Sequence, residues 1–373
     1  MKKILALALA LCLVLALAAC SGNGDANTTT TNGTTTVPTT VPTTTAPTVT
    51  EKDYRLGMGI VVSMGSSKAG NAQVDATVAT VVLDAEGKIV VCRIDVAQNK
   101  MAVTDGEVDI EKVFETKMEL GDRYGMAGII DNNGDGVMKE WYEQTKAFEA
   151  YVVGKTAAEV EAIETQEANG HQIAVDQALL DAGCSMQITD FMAAVVKACN
   201  DEQGMSFKTA SEFTLGVAAK TTAEESVAAT AEENGTVKMY SDFAASVVAD
   251  GKIIASLNDA IQPNITIDAA GEIVETAFKA TKRELKEGYN MAAYGQSMDW
   301  NGDGKVLEWY LQSAEFSKFV VGKTAAEVAD MATKVVEGSG YVISADDALL
   351  TAGCTIQITG IKAVVAQSAT NAR

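Results

Sequence analysis

The residues best suited to chemistry in this chain occur twice, in one pattern. Oxygen-bearing side chains stand at alternate positions before a glycine in Asp131-x-Asn133-x-Asp135-Gly136, and the pattern returns at residues 299–304. Such a spacing is what a hard cation such as calcium requires. An EF-hand loop would carry its acid at position twelve, whereas here it stands at position ten. The predicted calcium ligands are Asp131, Asn133, Asp135 and Glu140, and Asp299, Asn301, Asp303 and Glu308. These residue types also form a turn without any metal, so both interpretations stay open.

A second repeated pattern is a glycine, a cysteine and a hydroxyl residue just before a helix. It reads Gly183-Cys184-Ser185 at one place and Gly353-Cys354-Thr355 at the other. A glycine and small residues there let the backbone approach a ligand and present donors to a phosphate. We interpret the two cysteines as small buried hydrophobes rather than as reactive thiols.

Two tryptophans, Trp141 and Trp309, each stand in a Glu-Trp-Tyr triplet. At helical spacing with a phenylalanine, a tryptophan is more often part of the core than a platform for a ligand. Each is nevertheless a candidate wall for an aromatic cofactor.

Several catalytic classes are excluded. The chain has one histidine, His171, without a counterpart in the second copy, which excludes a repeated histidine triad or zinc site. Gly154-Lys155-Thr156 lacks the upstream glycine and the preceding strand of a nucleotide-binding loop. Any chemistry must therefore come from a bound cofactor, and we expect no hydrolase or transferase.

The elements that must position these residues are duplicated as well. Residues 131–160 return at 299–328, which predicts two tandem homologous domains, repeat 1 at 51–200 and repeat 2 at 211–373. In each repeat, runs rich in Val, Ile and Thr around a turn at 84–88 or 250–252 predict a β-hairpin. A helix beginning near each tryptophan and a second one opened by Thr156-x-x-Glu159 or Thr324-x-x-Glu327 follow. The predicted fold class is α+β, with a twisted antiparallel sheet in each domain.

The N-terminal segment predicts export and anchoring. Residues 1–19 have the positive start and short apolar run of a secretory signal, and Cys20 at its end resembles a bacterial lipobox, which implies lipidation. Residues 20–50 form a Thr/Pro-rich linker that cannot bury a core. We expect a lipoprotein at the outer face of the cytoplasmic membrane, on the cell surface of a Gram-positive bacterium.

The charge and the cysteines limit the partners. Loss of residues 1–19 removes two lysines, so the formal charge of −21 becomes −23. A protein that binds nucleic acid or an anionic membrane needs a positively charged surface. The negative net charge therefore excludes both as partners of the domains. Repeat 2 has only Cys354, so the repeats share no disulfide framework.

Across most of each repeat, the order of landmarks resembles the FMN-binding domains of lipoproteins that take part in flavin-based extracellular electron transfer. In repeat 1 the landmarks are Gly87-Lys88, Thr116 to Leu120, Tyr124 to Met126, Glu140 to Gln144, and Ala182 to Met186 with Phe191. The resemblance implies bound FMN, covalent or not, with Ser185 and Thr355 at its phosphate, and a redox partner protein. It departs at Ala182 and Ala352, where the family has a hydroxyl, and at Cys184 and Cys354, where it has alanine.

Two hypotheses follow. The first is a membrane-anchored flavoprotein that transfers electrons outside the cell. The second is a cofactor-free, calcium-stabilised surface lipoprotein that binds a partner or has a structural role. Burial of the Ser185 and Thr355 hydroxyls away from any cavity would argue for the second.

Overall fold

The computed structural model describes residues 50–129, 131–136 and 138–373. The predicted signal peptide, Cys20 and all but the last residue of the linker lie outside these described residues. Within them, no helix has the length and apolar character needed to cross a membrane.

Repeat 1 begins with three long strands, and helices and a short strand pair follow them. Its elements are β1 (Lys52–Ser63), β2 (Asn71–Leu83), β3 (Ile89–Ala102), α1 (Lys117–Leu120), α2 (Trp141–Tyr151), α3 (Ala157–Glu161), β4 (Thr165–Ala168), β5 (His171–Ala174), α4 (Gln177–Asp181) and α5 (Thr189–Cys199). β6 (Met205–Thr209) follows and pairs with β1.

Repeat 2 passes through a similar order of elements. They are β7 (Thr214–Thr222), β8 (Gly235–Val237), β9 (Tyr240–Ala249), β10 (Lys252–Ile261), β11 (Asn264–Ile267), β12 (Ile273–Ala277), α6 (Lys282–Leu285), α7 (Trp309–Phe319), α8 (Ala325–Ala329), β13 (Thr333–Val335), β14 (Val342–Ser344), α9 (Asp347–Thr351) and α10 (Thr359–Thr370).

Antiparallel sheets and helices together confirm the α+β fold class. One sheet has the order β3-β2-β1-β6, and the other large one has the order β10-β9-β7. The expected hairpins are the pairs β2–β3 and β9–β10. The turn of the first contains Gly87 with a φ of 76°, a left-handed conformation that glycine adopts without strain.

The two large sheets face each other across a shared core. This core includes Leu56 and Val74 from repeat 1 and Leu215 and Phe243 from repeat 2, all fully buried. The outer faces of the sheets carry helices, with α5 over β1 and β2 and α10 over β7 and β9. The described residues of both repeats therefore belong to one compact unit.

Corresponding glycines bring each C-terminal helix close to its sheet. A Cβ on Gly57 of β1 would collide with the carbonyl oxygen of Ala198, and one on Gly216 of β7 would collide with that of Ser368. Glycine is therefore required at both positions. This contact fixes the helix that follows each glycine–cysteine–hydroxyl loop.

Candidate functional site

The candidate site is the glycine–cysteine–hydroxyl loop of each repeat, which we call the cradle loop (residues 182–186 and 352–356). Each cradle loop joins a short helix, α4 or α9, to the long helix α5 or α10. Gly183 and Gly353 have φ values of 85° and 93°, so each loop turns through the left-handed conformation that favours glycine.

A glutamine of α2 already occupies the cradle loop of repeat 1. The carboxamide oxygen Oε1 of Gln144 accepts hydrogen bonds from the backbone N–H groups of Ser185 and Met186, both at 3.0 Å. Its Nε2 donates to the carbonyl oxygen of Lys139 at 2.9 Å. Gln144 is 0 % exposed. The amides that would face a phosphate are therefore satisfied from within the protein.

Repeat 2 has the same arrangement, with a glutamine side chain in its cradle loop. Gln312 of α7 accepts a hydrogen bond from the backbone N–H of Thr355 at 2.7 Å and one from its hydroxyl at 3.3 Å. Its Nε2 donates to the carbonyl oxygen of Leu307 at 2.6 Å. The sequence analysis included Gln144 among the landmarks but gave neither glutamine a role, although each stands three residues after the tryptophan of its repeat.

The hydroxyl side chains lie inside the protein. Ser185 is 2 % exposed and Thr355 is 3 % exposed. Among the described residues, the Ser185 hydroxyl has no hydrogen-bond partner. Cavities of about 330 and 490 Å³ lie elsewhere, and neither is lined by residues of the cradle loops.

The cradle loops as placed do not fit the phosphate of FMN. A phosphate needs free donors and compensation of its charge, because an unpaired buried charge is very costly. In repeat 1 the side chain of Lys139 covers Gly183, but in repeat 2 the apolar Leu307 covers Gly353. The residues that cover the two loops therefore do not supply a positive charge in both repeats.

The cysteines of the cradle loops are buried thiols. Cys184 and Cys354 are both 0 % exposed, and desolvation raises the pKa of each to about 12. A thiol with so high a pKa is a poor nucleophile at neutral pH. Each cysteine therefore packs as a small apolar side chain.

The tryptophans belong to the cores beneath the helices. Trp141 is 2 % exposed and meets Phe191 edge to face at 5.9 Å between ring centroids. Trp309 is 3 % exposed and packs in the equivalent core of repeat 2. Both rings contact a lysine, Lys117 or Lys282, whose Nζ lies 5.5 or 5.2 Å from the ring centroid.

The two candidate calcium loops are turns held by their first aspartate. Asp131 accepts backbone hydrogen bonds from Gly134 and Gly136 at 2.8 and 2.9 Å. Asp299 accepts them from Asp303 and Gly304 at 3.1 and 2.8 Å. The turn interpretation therefore accounts for these aspartates.

The asparagine of each candidate calcium loop has a side-chain oxygen without a hydrogen-bond partner among the described residues. Nδ2 of Asn133 donates to Asp135 at 2.7 Å, and Nδ2 of Asn301 donates to Asp303 at 3.0 Å. In both residues the oxygen Oδ1 is buried without a hydrogen-bond partner among the described residues. A polar atom left unsatisfied at the same place in both loops indicates a cation or a bound water.

Glu140 and Glu308 bind a different loop. The carboxylate of Glu140 accepts hydrogen bonds from the N–H groups of Met126 and Ala127, at 2.9 and 3.1 Å. Glu308 does the same with Met291 and Ala292, at 2.8 and 3.1 Å. Within the described residues, no group of three or more His, Cys, Asp or Glu side chains could hold a metal. Calcium ligation by these glutamates stays a prediction.

Comparison of the chain with profiles of known protein families, with curated proteins and with solved structures found no match. The function is therefore argued from the site alone.

Proposed function

We propose that this protein is a cofactor-free lipoprotein of the cell envelope, anchored through Cys20 at the outer face of the membrane and stabilised by calcium. The two repeats form the body of the molecule, and the linker holds that body away from the membrane. Its role is to bind a partner or to serve as a structural element of the surface.

The observation that supports this function is the filled cradle loop. A buried glutamine oxygen accepts two backbone hydrogen bonds of the cradle loop in repeat 1 and one in repeat 2, where a phosphate would need those donors. A phosphate could enter only by expelling a buried carboxamide, which would lose its own hydrogen bonds at a cost of about 1–3 kcal/mol per unsatisfied group. Two copies with the same internal acceptor favour a loop selected to stay closed.

Flavin-based electron transfer, with FMN and a redox partner protein, is the rival prediction. It requires Gln144 or Gln312 to leave its cradle loop. Repeat 1 is the better candidate for such a change, because the Lys139 amino group lies beside Gly183 and donates to the carbonyl oxygen of Ala182 at 2.7 Å.

The visible absorbance spectrum of the protein, purified from its native host, separates the two functions. We expect no flavin absorbance, both as purified and after incubation with FMN and the host's maturation machinery. A yellow protein whose flavin is lost in Ser185→Ala or Thr355→Val would establish the rival function. The first variant tests repeat 1 and the second tests repeat 2.

The calcium part of the proposal is supported by Asn133 and Asn301. Their buried, unpartnered oxygens lie at the third position of each loop, where a calcium loop supplies a ligand. A cation bound in each loop would satisfy the asparagine oxygen of that loop.

The anchoring part can be tested separately. Replacing Cys20 with alanine should release the protein from the membrane fraction into the medium, because the linker and the domains carry no positive footprint to hold it there. Retention of the variant on the membrane would contradict the lipid anchor.

A further inference from the structure

A buried lysine of repeat 2 stands in a box of aromatic rings. Lys282, the first residue of α6, is 6 % exposed. Its Nζ lies 4.8 Å from the ring centroids of Tyr240 and Tyr289 and 5.2 Å from that of Trp309. It donates a hydrogen bond to the hydroxyl of Tyr240 at 3.3 Å. None of the ion pairs within the described part of the chain includes this lysine.

A buried carboxyl group accompanies it. Asp242 is 7 % exposed, and its Oδ1 has no hydrogen-bond partner among the described residues. The absence of a side chain at Gly360 leaves the space that the carboxylate occupies, since a Cβ there would collide with Asp242. Asp242 therefore lies in the same cluster as Lys282, but the two side chains do not form an ion pair within 4 Å.

Burial changes the acidity of both groups. Desolvation lowers the pKa of Lys282 to about 8, and the charges of Asp242, Asp259 and Glu225 oppose that shift. Desolvation raises the pKa of Asp242 to about 6. A lysine with a pKa near 8 has roughly a tenth of its amine in the neutral form at pH 7, far more than an ordinary lysine, and a neutral amine is a nucleophile.

A surface cavity borders the cluster. It has a volume of about 490 Å³, and Lys282 and Tyr289 form part of its wall together with Leu285 and Lys279. Within the described residues its lining contains amides, a threonine and apolar groups but no carboxylate. A small neutral or anionic molecule that enters this cavity therefore meets two lysines and no carboxylate in the described part of its wall.

We propose that Lys282 is a covalent capture site for small carbonyl compounds, namely aldehydes that fit this cavity. The neutral amine nitrogen bonds to the carbonyl carbon, and the electron pair of the C=O π bond moves to oxygen, which takes a proton. The nitrogen loses both of its protons, and the oxygen takes a second proton and leaves as water as the C–O bond breaks. The nitrogen lone pair forms the second C–N bond, so that an imine results without any oxidant. The Tyr240 hydroxyl accepts a hydrogen bond from Nζ and is also hydrogen-bonded to the carboxyl of Asp242, so it is placed to pass a proton between the nitrogen and that carboxyl. This site does not depend on the cradle loops.

Repeat 1 offers a matched control. Lys117 stands at the same place in its repeat, with its Nζ 4.8 Å from the Tyr124 ring and 5.5 Å from the Trp141 ring. It is only half-buried and lacks the third ring. Lys279, exposed at the cavity mouth, controls for simple access.

The test is reductive trapping with acetaldehyde and cyanoborohydride near pH 7, followed by peptide mapping. We expect Lys282 to react at least about tenfold faster than Lys117 and Lys279, because an ordinary lysine with a pKa near 10.4 is almost fully protonated there. Equal labelling, or faster labelling of either control lysine, would overturn the proposal.

The variant Asp242→Asn tests the cluster itself. Among the groups that face Lys282, namely Asp242, Asp259, Glu225, Tyr240 and Tyr289, the charge of Asp242 raises its pKa most. Removing that charge should move the pH midpoint of trapping to lower pH, with the melting curve as the check on folding. An unchanged pH midpoint in a folded variant would refute the role of this cluster. If the variant does not fold, the relative labelling rates of Lys282, Lys117 and Lys279 in the native protein decide whether the proposal holds.

Discussion

Arg283 of repeat 2 and Asp201, which follows the last helix of repeat 1, form a buried ion pair. Nη2 of Arg283 lies 3.0 and 3.2 Å from the two carboxylate oxygens, and the side chains are 7 % and 8 % exposed. Asp201 also accepts a hydrogen bond from the N–H of Met58, and Arg283 donates to the carbonyl oxygen of Gln203. Arg373 also reaches Glu149 at 3.1 Å, and Lys197 reaches Glu284 at 2.6 Å. Within the described part of the chain, several ion pairs therefore join the repeats in addition to the shared core.

Replacing Asp201 with alanine should lower the free energy of unfolding by about 3–5 kcal/mol, because it leaves the buried Arg283 guanidinium without its ion-pair partner. Chemical denaturation measures this. The control is Asp53→Ala, which removes an exposed pair with Lys208 and should leave the midpoint unchanged. Asp201→Ala combined with Arg283→Met should recover part of the loss. If Asp201→Ala is as mild as its control, the pair does not join the repeats.

The repeats should unfold as one cooperative unit, since their sheets share a core. Phe316 is fully buried in repeat 2, so Phe316→Ala should cost about 3–5 kcal/mol. Hydrogen exchange should then show an equal loss of protection in β2 of repeat 1. Unchanged exchange in β2 would mean that the two repeats fold independently, as separate tandem domains do.

Local patterns in the sequence predicted local structure well. The helix predicted to begin near Trp141 is α2, and the capping box of Thr156 and Glu159 is present with both of its hydrogen bonds. These features depend on neighbours within a few residues. The role of Gln144 could not be read in this way, because its acceptor position is defined by amides 41 and 42 residues away.

The sequence also did not predict which elements cover the two faces of each large sheet. A strand such as β2 is apolar on both faces, which indicates that both are covered but not by what. Here one face meets helices of its own repeat and the other meets the sheet of repeat 2. The aromatic box of Lys282 depends on the same long-range assembly, since Tyr240 and Trp309 come from a strand and a helix far apart in the chain.

Two buried aspartates should make stability fall as pH rises. Asp95 accepts hydrogen bonds from the N–H groups of Val96 and Met118, and Asp259 accepts them from Ala260 and Arg283. Desolvation raises the pKa of both carboxyls from 3.8 to about 6. The folded state therefore holds these protons more tightly than the unfolded state, so their stabilisation is complete below pH 3.8 and is lost as pH rises through 6.

The measurement is the free energy of unfolding at several pH values in the native protein and in Asp95→Asn with Asp259→Asn. Each carboxyl should contribute a decrease of up to about 3 kcal/mol between acid and neutral pH, and the amide variants should lack it. Exposed acids with lowered pKa values, such as Glu115 and Glu159, act in the opposite direction in both proteins, so only the difference between the two curves counts. Parallel curves would contradict the prediction.

Calcium should raise the melting temperature, and EDTA should lower it. The informative variant is Asn133→Ala with Asn301→Ala, because it removes the unpartnered oxygens and leaves the backbone hydrogen bonds of Asp131 and Asp299 in place. We expect this variant to lose the response to EDTA, with its own melting temperature before EDTA as the reference. An EDTA response of normal size in the variant would exclude these oxygens as ligands, and a native protein that ignores EDTA would leave only the turn.

The closed cradle loops should depend on the glutamine acceptors. Gln144→Leu has a similar volume but no oxygen, so the N–H groups of Ser185 and Met186 would lose their partner. Two unsatisfied buried amides should lower the free energy of unfolding by about 2–6 kcal/mol. The control Gln144→Glu retains an acceptor oxygen at this position and should cost less at a pH low enough to protonate it. Hydrogen exchange at Ser185 and Met186 is the local readout: fast exchange in Gln144→Leu and slow exchange in the native protein are expected, whereas fast exchange in both would show that the loop opens readily and would favour flavin binding.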